Sequence, residues 1–516
     1  MKRFLMRTAA GHCSARPGAA SLGAALLAGA MAFSAALAGC GSGGSGGTGG
    51  GGQTPDMGTL TAVSDSYGYT LANVASSLVL GIAGQSQTAG ANAAQETSTG
   101  SADSLWHFLP MNNDQYNVEN MLTHQLIGVQ NASTTVGAQV LQWADNGTTD
   151  HIWEFYLLTD GNYLIKNANS GLYLEDEGSN MSALATIDQG ARATTGTGCS
   201  CQEWKLTSNN TSPYPDPIAV SVSYTAPDSA TIGIHDPSML KVGSTYYLFS
   251  THGLLHAHTS PDRVNFADDG YALPALPAWT NPYTASSGDL WAPDASIHNG
   301  VVWLYYAASG FGNSYSAIGL ATSATGAPGT FVDSGGPVYS SADCVGSNAI
   351  DPASVIDGAG NAWLAFGSWS SGIQIVPVNS TTGIPTGAAC TQLAYHSSGT
   401  GIEGSYIYPH GGYYYLFASV DNCCNGVTST YRIVVGRSAS VNGPYTDRGG
   451  VALTSGGGTI VLSAHGTING PGGETLFPDT DGDILVYHYY DGNNNGEPAL
   501  GTNVLSWTSD GWPYLQ

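Results

Sequence analysis

Charged residues are scarce in this chain, and basic ones most of all. Of 516 residues only 12 are Lys or Arg, and charged residues of both signs make up 9%. That shortage excludes coiled coils and long solvated helices, which depend on interleaved charge. It also excludes nucleic-acid binding. Four basic residues (Lys2, Arg3, Arg7 and Arg16) lie in the first sixteen positions, so the remainder carries 8 − 37 = −29, a surface that repels phosphate backbones and anionic lipid headgroups. No Cys-x-x-Cys spacing occurs, which weighs against a thiolate metal site.

What is abundant points to strands and turns. Gly and Pro together number 71 + 24 = 95, and 11 Trp, 28 Tyr and 11 Phe supply aromatic side chains for short strands. With 42% hydrophobic residues the chain can bury a large core, and at roughly 100 to 200 residues per domain it should hold two or three domains.

The first segment reads as an address. A basic stretch without acids precedes an apolar, small-residue run from about Leu22 to Ala38, too short and wrongly flanked for a membrane span. The run ends Leu37-Ala38-Gly39-Cys40, which resembles the lipobox of bacterial lipoproteins, where the Cys becomes the acylated first residue. A Gly/Ser tract from Gly41 to Gly52 follows, as a flexible tether should. The organisation expected is a lipoprotein signal peptide over 1–39, a linker over 40–65, a first folded domain over 66–207, a Pro-rich connector over 208–217 and a second domain over 218–516. The protein is then exported and held to the cell envelope, at the outer membrane or cell surface, through the lipid on Cys40 alone. Apart from Cys13 and Cys40, six cysteines remain (Cys199, Cys201, Cys344, Cys390, Cys423, Cys424), which suits disulfides in an exported chain and allows fifteen pairings.

Two internal repeats divide the rest. Residues 66–207 contain three copies of an apolar strand, a polar stretch and a Trp-x-apolar ending: Trp106-His107-Phe108, Trp153-Glu154-Phe155 and Trp204-Lys205-Leu206. The strands read as opening the copies are Leu78-Val79-Leu80, Gln125-Leu126-Ile127-Gly128 and Gly171-Leu172-Tyr173-Leu174. Three similar units imply a pseudo-threefold all-β fold. This part resembles the ricin-type β-trefoil lectins, with one full Gln-x-Trp at Gln202-Glu203-Trp204. The resemblance places the three repeat-ending Trp in the core and a sugar pocket beside Trp143, Asp145 and Asn146.

The second repeat is longer. Aromatic strands centred on Leu248, Leu304, Leu364, Leu416 and Leu485 recur at 56, 60, 52 and 69 residues. A period near 60 with strands throughout predicts a five-bladed β-propeller. Each unit opens on a comparable segment: His235-Asp236-Pro237, Trp291-Ala292-Pro293-Asp294, Ile350-Asp351-Pro352, Ile402-Glu403-Gly404 and Gly473-Glu474. In a propeller the first strand of each blade lines the channel, so acids distant in sequence converge. Glycosidic hydrolysis needs one protonated carboxyl and one ionised carboxylate, and a third acid can hold the proton on the first.

Here the chain resembles glycoside hydrolase family 43, and most closely its endo-1,5-α-L-arabinanases, over nearly all of 230–516. The carrying motifs include His235-Asp236-Pro237-Ser238-Met239, Leu290-Trp291-Ala292-Pro293-Asp294, Asn348-Ala349-Ile350-Asp351-Pro352, Phe366-Gly367-Ser368-Trp369, Ile402-Glu403-Gly404, Cys423-Cys424-Asn425-Gly426 and Ser429-Thr430-Tyr431. The resemblance implies Asp236 as general base, Glu403 as general acid and Asp351 as the residue that tunes its pKa. Inversion follows, with the acid and base carboxyls about 6.5 to 9.5 Å apart. Asp294 is read as structural or near-site, outside the trio. Trp291, Asn348, Phe311 and Trp369 are the expected substrate contacts, and arabinan or another plant cell-wall polysaccharide the partner. Within the family the alternatives are an α-L-arabinofuranosidase or β-xylosidase acting from chain ends; outside it, a surface glycan-binding protein without catalysis. No cofactor is required. These arabinanases commonly carry Gly-Pro-Gly-His-Asn in the last blade, whose His faces an ion on the axis; this chain has Gly470-Pro471-Gly472-Gly473-Glu474. A structural calcium on the axis would then rely on His465 or His488.

Overall fold

The computed structural model describes residues 55–516 apart from 112–113, 144–147, 194–197, 210–211, 225–232, 345, 388 and 397–400, and the side chain of 370. Cys40, with the segment around it, and Asp145 and Asn146 lie outside the described residues. Regular structure among the described residues is β-strand and short 3-10 turns, and no helix is long and apolar enough to cross a membrane.

Residues 59–208 form a β-trefoil. Its three four-stranded units begin at Tyr69–Asn73, Gln115–Asn120 and Tyr163–Asn167 and end at Trp106–Pro110, Ile152–Leu157 and Glu203–Ser208. The segments read from sequence as opening strands, around Leu80, Ile127 and Leu174, are therefore the second strand of each unit. The true first strands are mixed polar and aromatic, so an apolar run does not mark them.

The threefold is written in side chains. Trp106, Trp153 and Trp204 are fully buried, and each indole N–H donates to a second-strand carbonyl, of Leu80, Ile127 and Leu174, at 2.9 to 3.0 Å. Asn73, Asn120 and Asn167 donate to the carbonyls of Cys201, Asp103 and Asp150. Gln95, Gln142 and Gln189 each bridge to a neighbouring unit's loop. Packing fixes the apolar part of each Trp and a hydrogen bond its polar edge, so Trp→Ala at any of the three should cost about 3 to 5 kcal/mol.

The propeller has five sheets whose antiparallel strands run outward in sequence order from the innermost; on blade I one further strand, Ser221–Val222, lies parallel along the outer edge. The inner strands are Ser238–Val242 (blade I), Trp291–His298 (blade II), Ala353–Ile356 (blade III), Gly401–His410 (blade IV) and Ile468–Asp479 (blade V). The aromatic strands found from sequence are the second in each blade: Thr245–Ser250, Val301–Ala308, Ala362–Phe366, Tyr413–Asp421 and Gly482–Asp491. They read as hydrophobic runs because both faces are covered by adjacent blades. The six cysteines pair as Cys199–Cys201, Cys344–Cys390 and Cys423–Cys424.

The trefoil is docked on the outer strands of blades IV and V. Arg448 of blade IV lies 3.1 Å from Glu119 of the trefoil and 3.3 Å from Asp510 of blade V. His124 stacks on Tyr514 with ring centroids 4.0 Å apart. Tyr214, in the Pro-rich connector, is buried between His107 and His465.

Candidate active site

The inner strands share one backbone irregularity. Asp236, Ala292, Asp351, Gly404 and Gly473 all have positive φ, between 40° and 62°. Left-handed backbone is unfavourable for Asp and Ala and free for Gly, and its recurrence in five blades marks one structural position at the channel mouth. Measured from that position the acids are staggered. Asp236 and Asp351 occupy it, Glu403 precedes it by one residue, Glu474 follows it by one and Asp294 by two. The common register expected from sequence therefore holds for two acids only. A one-residue offset in a strand reverses side-chain direction, so the offset decides what each carboxyl faces.

Asp236 and Asp351 line one cavity together with Pro293, Gly404, Gly473 and Glu474. Asp236 Oδ2 accepts from Thr251 Oγ1 at 2.6 Å, and the same hydroxyl accepts the Ala292 N–H at 2.8 Å, locking blade I to blade II. The Asp236 N–H donates to His488 Nδ1 at 3.1 Å. Asp351 Oδ2 accepts the Gly404 N–H at 2.9 Å, which holds the backbone immediately after Glu403. Glu403 turns away from the bulge. Its Oε2 accepts from Ser368 Oγ at 2.7 Å and its Oε1 from the Tyr431 hydroxyl.

Burial raises the pKa of Glu403, the Asp236 charge adds to it, and the Tyr431 and Ser368 donors oppose it. Asp351 is raised well above the ordinary carboxylate range by burial, then by the charges of Glu403 and Asp236. Burial and mutual repulsion thus keep a proton on this group of acids at pH values where an exposed carboxyl would be ionised. Glu474 is pushed up to about 8, chiefly by burial, with Ser419 Oγ donating to its Oε2 at 2.6 Å. Asp294 is buried and accepts from both the N–H and hydroxyl of Ser354 at 2.8 Å, tying blade II to blade III.

The expected substrate contacts separate. Trp369 is 42% exposed and packs over Gly401 beside Glu403. Trp291 is half-buried next to the Ala292-Pro293 wall of the cavity. Phe311 is 84% exposed in the loop after Val301–Ala308. Asn348 is buried, and its Oδ1 accepts from Ser316 Oγ at 2.7 Å, so this side chain holds its own loop. Sequence reasoning missed Thr251 and Ser419, small hydroxyl residues with no flag of their own, and quoted Ser368 and Tyr431 inside motifs without giving them a role.

Residues 231–513 match the model of glycosyl hydrolases family 43. The chain belongs to this family. Residues 59–143 match the model of the ricin-type β-trefoil lectin domain-like family. The family 43 chain is similar to the extracellular endo-α-(1→5)-L-arabinanase 1 of Bacillus subtilis, 42% identical over 286 residues, which are 54% of this chain and 87% of that one. Among solved structures it resembles the Cellvibrio cellulosa α-L-arabinanase complexed with arabinohexaose, at TM-score 0.53 and 35% identity, covering 55% of this chain and 96% of that one. It equally resembles an exo-1,5-α-L-arabinanase from a bovine ruminal metagenomic library, at TM-score 0.53 and 34% identity, covering 55% and 96%.

The two histidines considered for an axial ion, His465 and His488, lie in different surroundings. His465 is buried against Tyr214 and Asp216 near the trefoil, with its Nδ1 on the Ser463 carbonyl. His488 is beside the cavity, but its Nδ1 accepts the Asp236 N–H, and burial pushes its pKa down to about 3. Gly473, at the bulge of blade V, has no side chain to offer, and a Cβ there would fall 2.6 Å from Asp236 Oδ1. Calcium takes oxygen ligands, and each of these histidines offers at most its buried, unpartnered Nε2, since Nδ1 is already in a hydrogen bond.

A second pocket lies in the trefoil. It is lined by Asn131, Trp143, Thr148, Asp150 and His151, with Gly90 of the first unit at its edge. Trp143 is 43% exposed there, whereas Gln142 beside it is buried as one of the three structural glutamines.

Proposed function

We propose that this protein is an endo-1,5-α-L-arabinanase that cleaves internal bonds of arabinan with inversion. The observation that carries the reading is that Asp236 and Asp351 line one cavity of a family 43 propeller with Glu403 near enough for the charges of the three to act on one another. In this scheme Asp236 takes a proton from a water as its oxygen attacks the anomeric carbon. Glu403 gives its proton to the departing glycosidic oxygen, so the bond breaks without a free alkoxide. Asp351 acts through Glu403: the two buried carboxyls oppose each other's ionisation, and the bond of Asp351 to the Gly404 N–H fixes the acid's backbone. Trp369 offers an exposed ring beside the acid for a furanose. No step passes through a metal.

The similarity to endo-acting proteins favours internal cleavage, while the exo-1,5-α-L-arabinanase at nearly the same identity keeps chain-end attack as the second reading. The trefoil pocket at Trp143 is the proposed polysaccharide contact outside the cleft. An extracellular relative supports export, and Cys40 supplies the lipid anchor to the envelope.

Product analysis on debranched linear arabinan tests the reading. A ladder of oligosaccharides with the β-anomer formed first, seen by proton NMR, is expected. Arabinose alone would assign exo action, and no product would leave a glycan receptor.

A further inference from the structure

Blade I carries a side-chain group outside the carboxylate cleft. His256 and His258 lie two residues apart in the third strand, His256–Ser260, so both project from the same face. Asp268, in the fourth strand, Asn265–Tyr271, pairs directly with His258. One donor atom from each of the three lies within 4.8 Å of the other two. His256 Nε2 is 3.2 Å from Asp268 Oδ1, and the two imidazole centroids are 4.4 Å apart. His258 is fully buried; the Ser223 backbone is beside its ring, and its ring nitrogens make no other hydrogen bond.

With one nitrogen directed to Ser223, the other buried nitrogen is unfavourable unless something else satisfies it. The neutral imidazole, which burial favours, is the form that ligates metals. Two imidazoles and one carboxylate suit zinc and its neighbours rather than calcium or magnesium. Around a tetrahedral zinc with bonds near 2.0 to 2.1 Å, ligand atoms lie about 3.3 Å apart, close to the His256–Asp268 separation. The Ser223 carbonyl is the kind of outer partner that orients a ligating ring.

We propose that His256, His258 and Asp268 bind a divalent transition metal such as zinc at the closure of the propeller ring. The place gives the metal a task. Segment 218–223 crosses from blade V, where the Ile218 N–H donates to Thr502 O, to blade I, where Ser221–Val222 runs parallel to Asn265 and Phe266. The Asp268 N–H donates to Ser223 Oγ at 3.2 Å. A metal on Asp268 and both histidines stiffens the sheet edge on which this clasp is laid.

The test uses the untagged full-length protein, stripped with a chelator and dialysed. Cobalt(II) titration followed by visible absorption should show one site, and zinc should raise the midpoint of thermal unfolding. His258→Leu and Asp268→Asn should each weaken cobalt binding at least tenfold and abolish the zinc-dependent rise. Asp268→Asn is partly exposed and isosteric, so it guards against a folding defect in the buried variant. Wild-type protein that takes up no cobalt overturns the proposal. So does wild-type affinity in either folded variant, which would move the metal to the other nitrogen-rich group, His235 and His488 beside Asp236.

Discussion

Arg448 and Glu119 form an ion pair across the two domains, 3.1 Å apart, with the Arg side chain 4% and the Glu side chain 10% exposed. Burial alone would raise the Glu119 pKa, yet hydrogen bonds from His107 and His124 and the Arg448 charge hold it well below its ordinary value. The trefoil is therefore fastened to the propeller by desolvated charge, and a freely swinging lectin is not what the structure contains.

Removing one partner strands the other without water. Glu119→Gln or Arg448→Met should cost about 3 to 5 kcal/mol, read as a lower midpoint in calorimetry. The pH sign follows from the depressed carboxyl: its stabilisation is complete above about 4.5, the unfolded value, and is lost as pH falls through the folded value. The wild-type advantage over Glu119→Gln should shrink in acid. Wild-type stability in both variants at neutral pH would show that the contact contributes nothing.

The roles within the acid group separate by leaving group. Glu403→Gln should lose roughly 10² to 10⁴ in kcat on arabinan and far less on an aryl arabinoside whose phenolate leaves unaided. Asp236→Asn should be inactive on both. Equal loss on both substrates in Glu403→Gln would remove it from the acid role.

Two neighbours of Glu403 should move its titration in opposite directions. Tyr431→Phe deletes a donor that favours the carboxylate, so the limb of the pH profile where activity falls with rising pH should shift upward. Asp351→Asn removes a carboxyl whose ionisation opposes that of Glu403, so if activity survives that limb should shift downward. Shifts of the reverse sign, measured as kcat against pH, would mean the limb belongs to another group.

Glu474 is buried with a pKa pushed up to about 8, so it is protonated at neutral pH. A carboxyl raised from 4.5 in the unfolded chain binds more protons when folded, and stability falls as pH rises from 4.5 through about 8. Glu474→Gln keeps the neutral form. It should retain activity near pH 6 and gain stability over wild type progressively up to pH 8 and above. A variant less stable than wild type at pH 8 would show that the ionised form is accommodated.

The lipid anchor is tested by fractionation. Cys40→Ala should release the protein from membranes and leave hydrolysis unchanged, because the tether precedes both folded domains. Retention in the membrane fraction would defeat the lipoprotein reading.

Much of the architecture is legible in the sequence, because repetition is a one-dimensional signal. Three Trp-ended units and five Leu-centred aromatic strands state trefoil and propeller before any contact is known, and motif order around Asp236, Asp351 and Glu403 points to the acids. The strands most visible are those buried on both faces. The mixed first strands of the trefoil, such as Gln115–Asn120, carry no apolar run and stay hidden.

Tertiary structure alone decided the rest, for a physical reason: direction and environment are not local. Whether an acid sits on the left-handed position, as Asp236 does, or one residue from it, as Glu403 and Glu474 do, changes what it faces, and no spacing in the chain states that offset. The donors on Glu403 come from Ser368 and Tyr431, 35 and 28 residues away, and the partner of Arg448 is 329 residues distant. Sequence determined which residues could do chemistry; folding determined which of them are dry, charged and aimed at one another, because desolvation and like-charge repulsion exist only once the blades have closed.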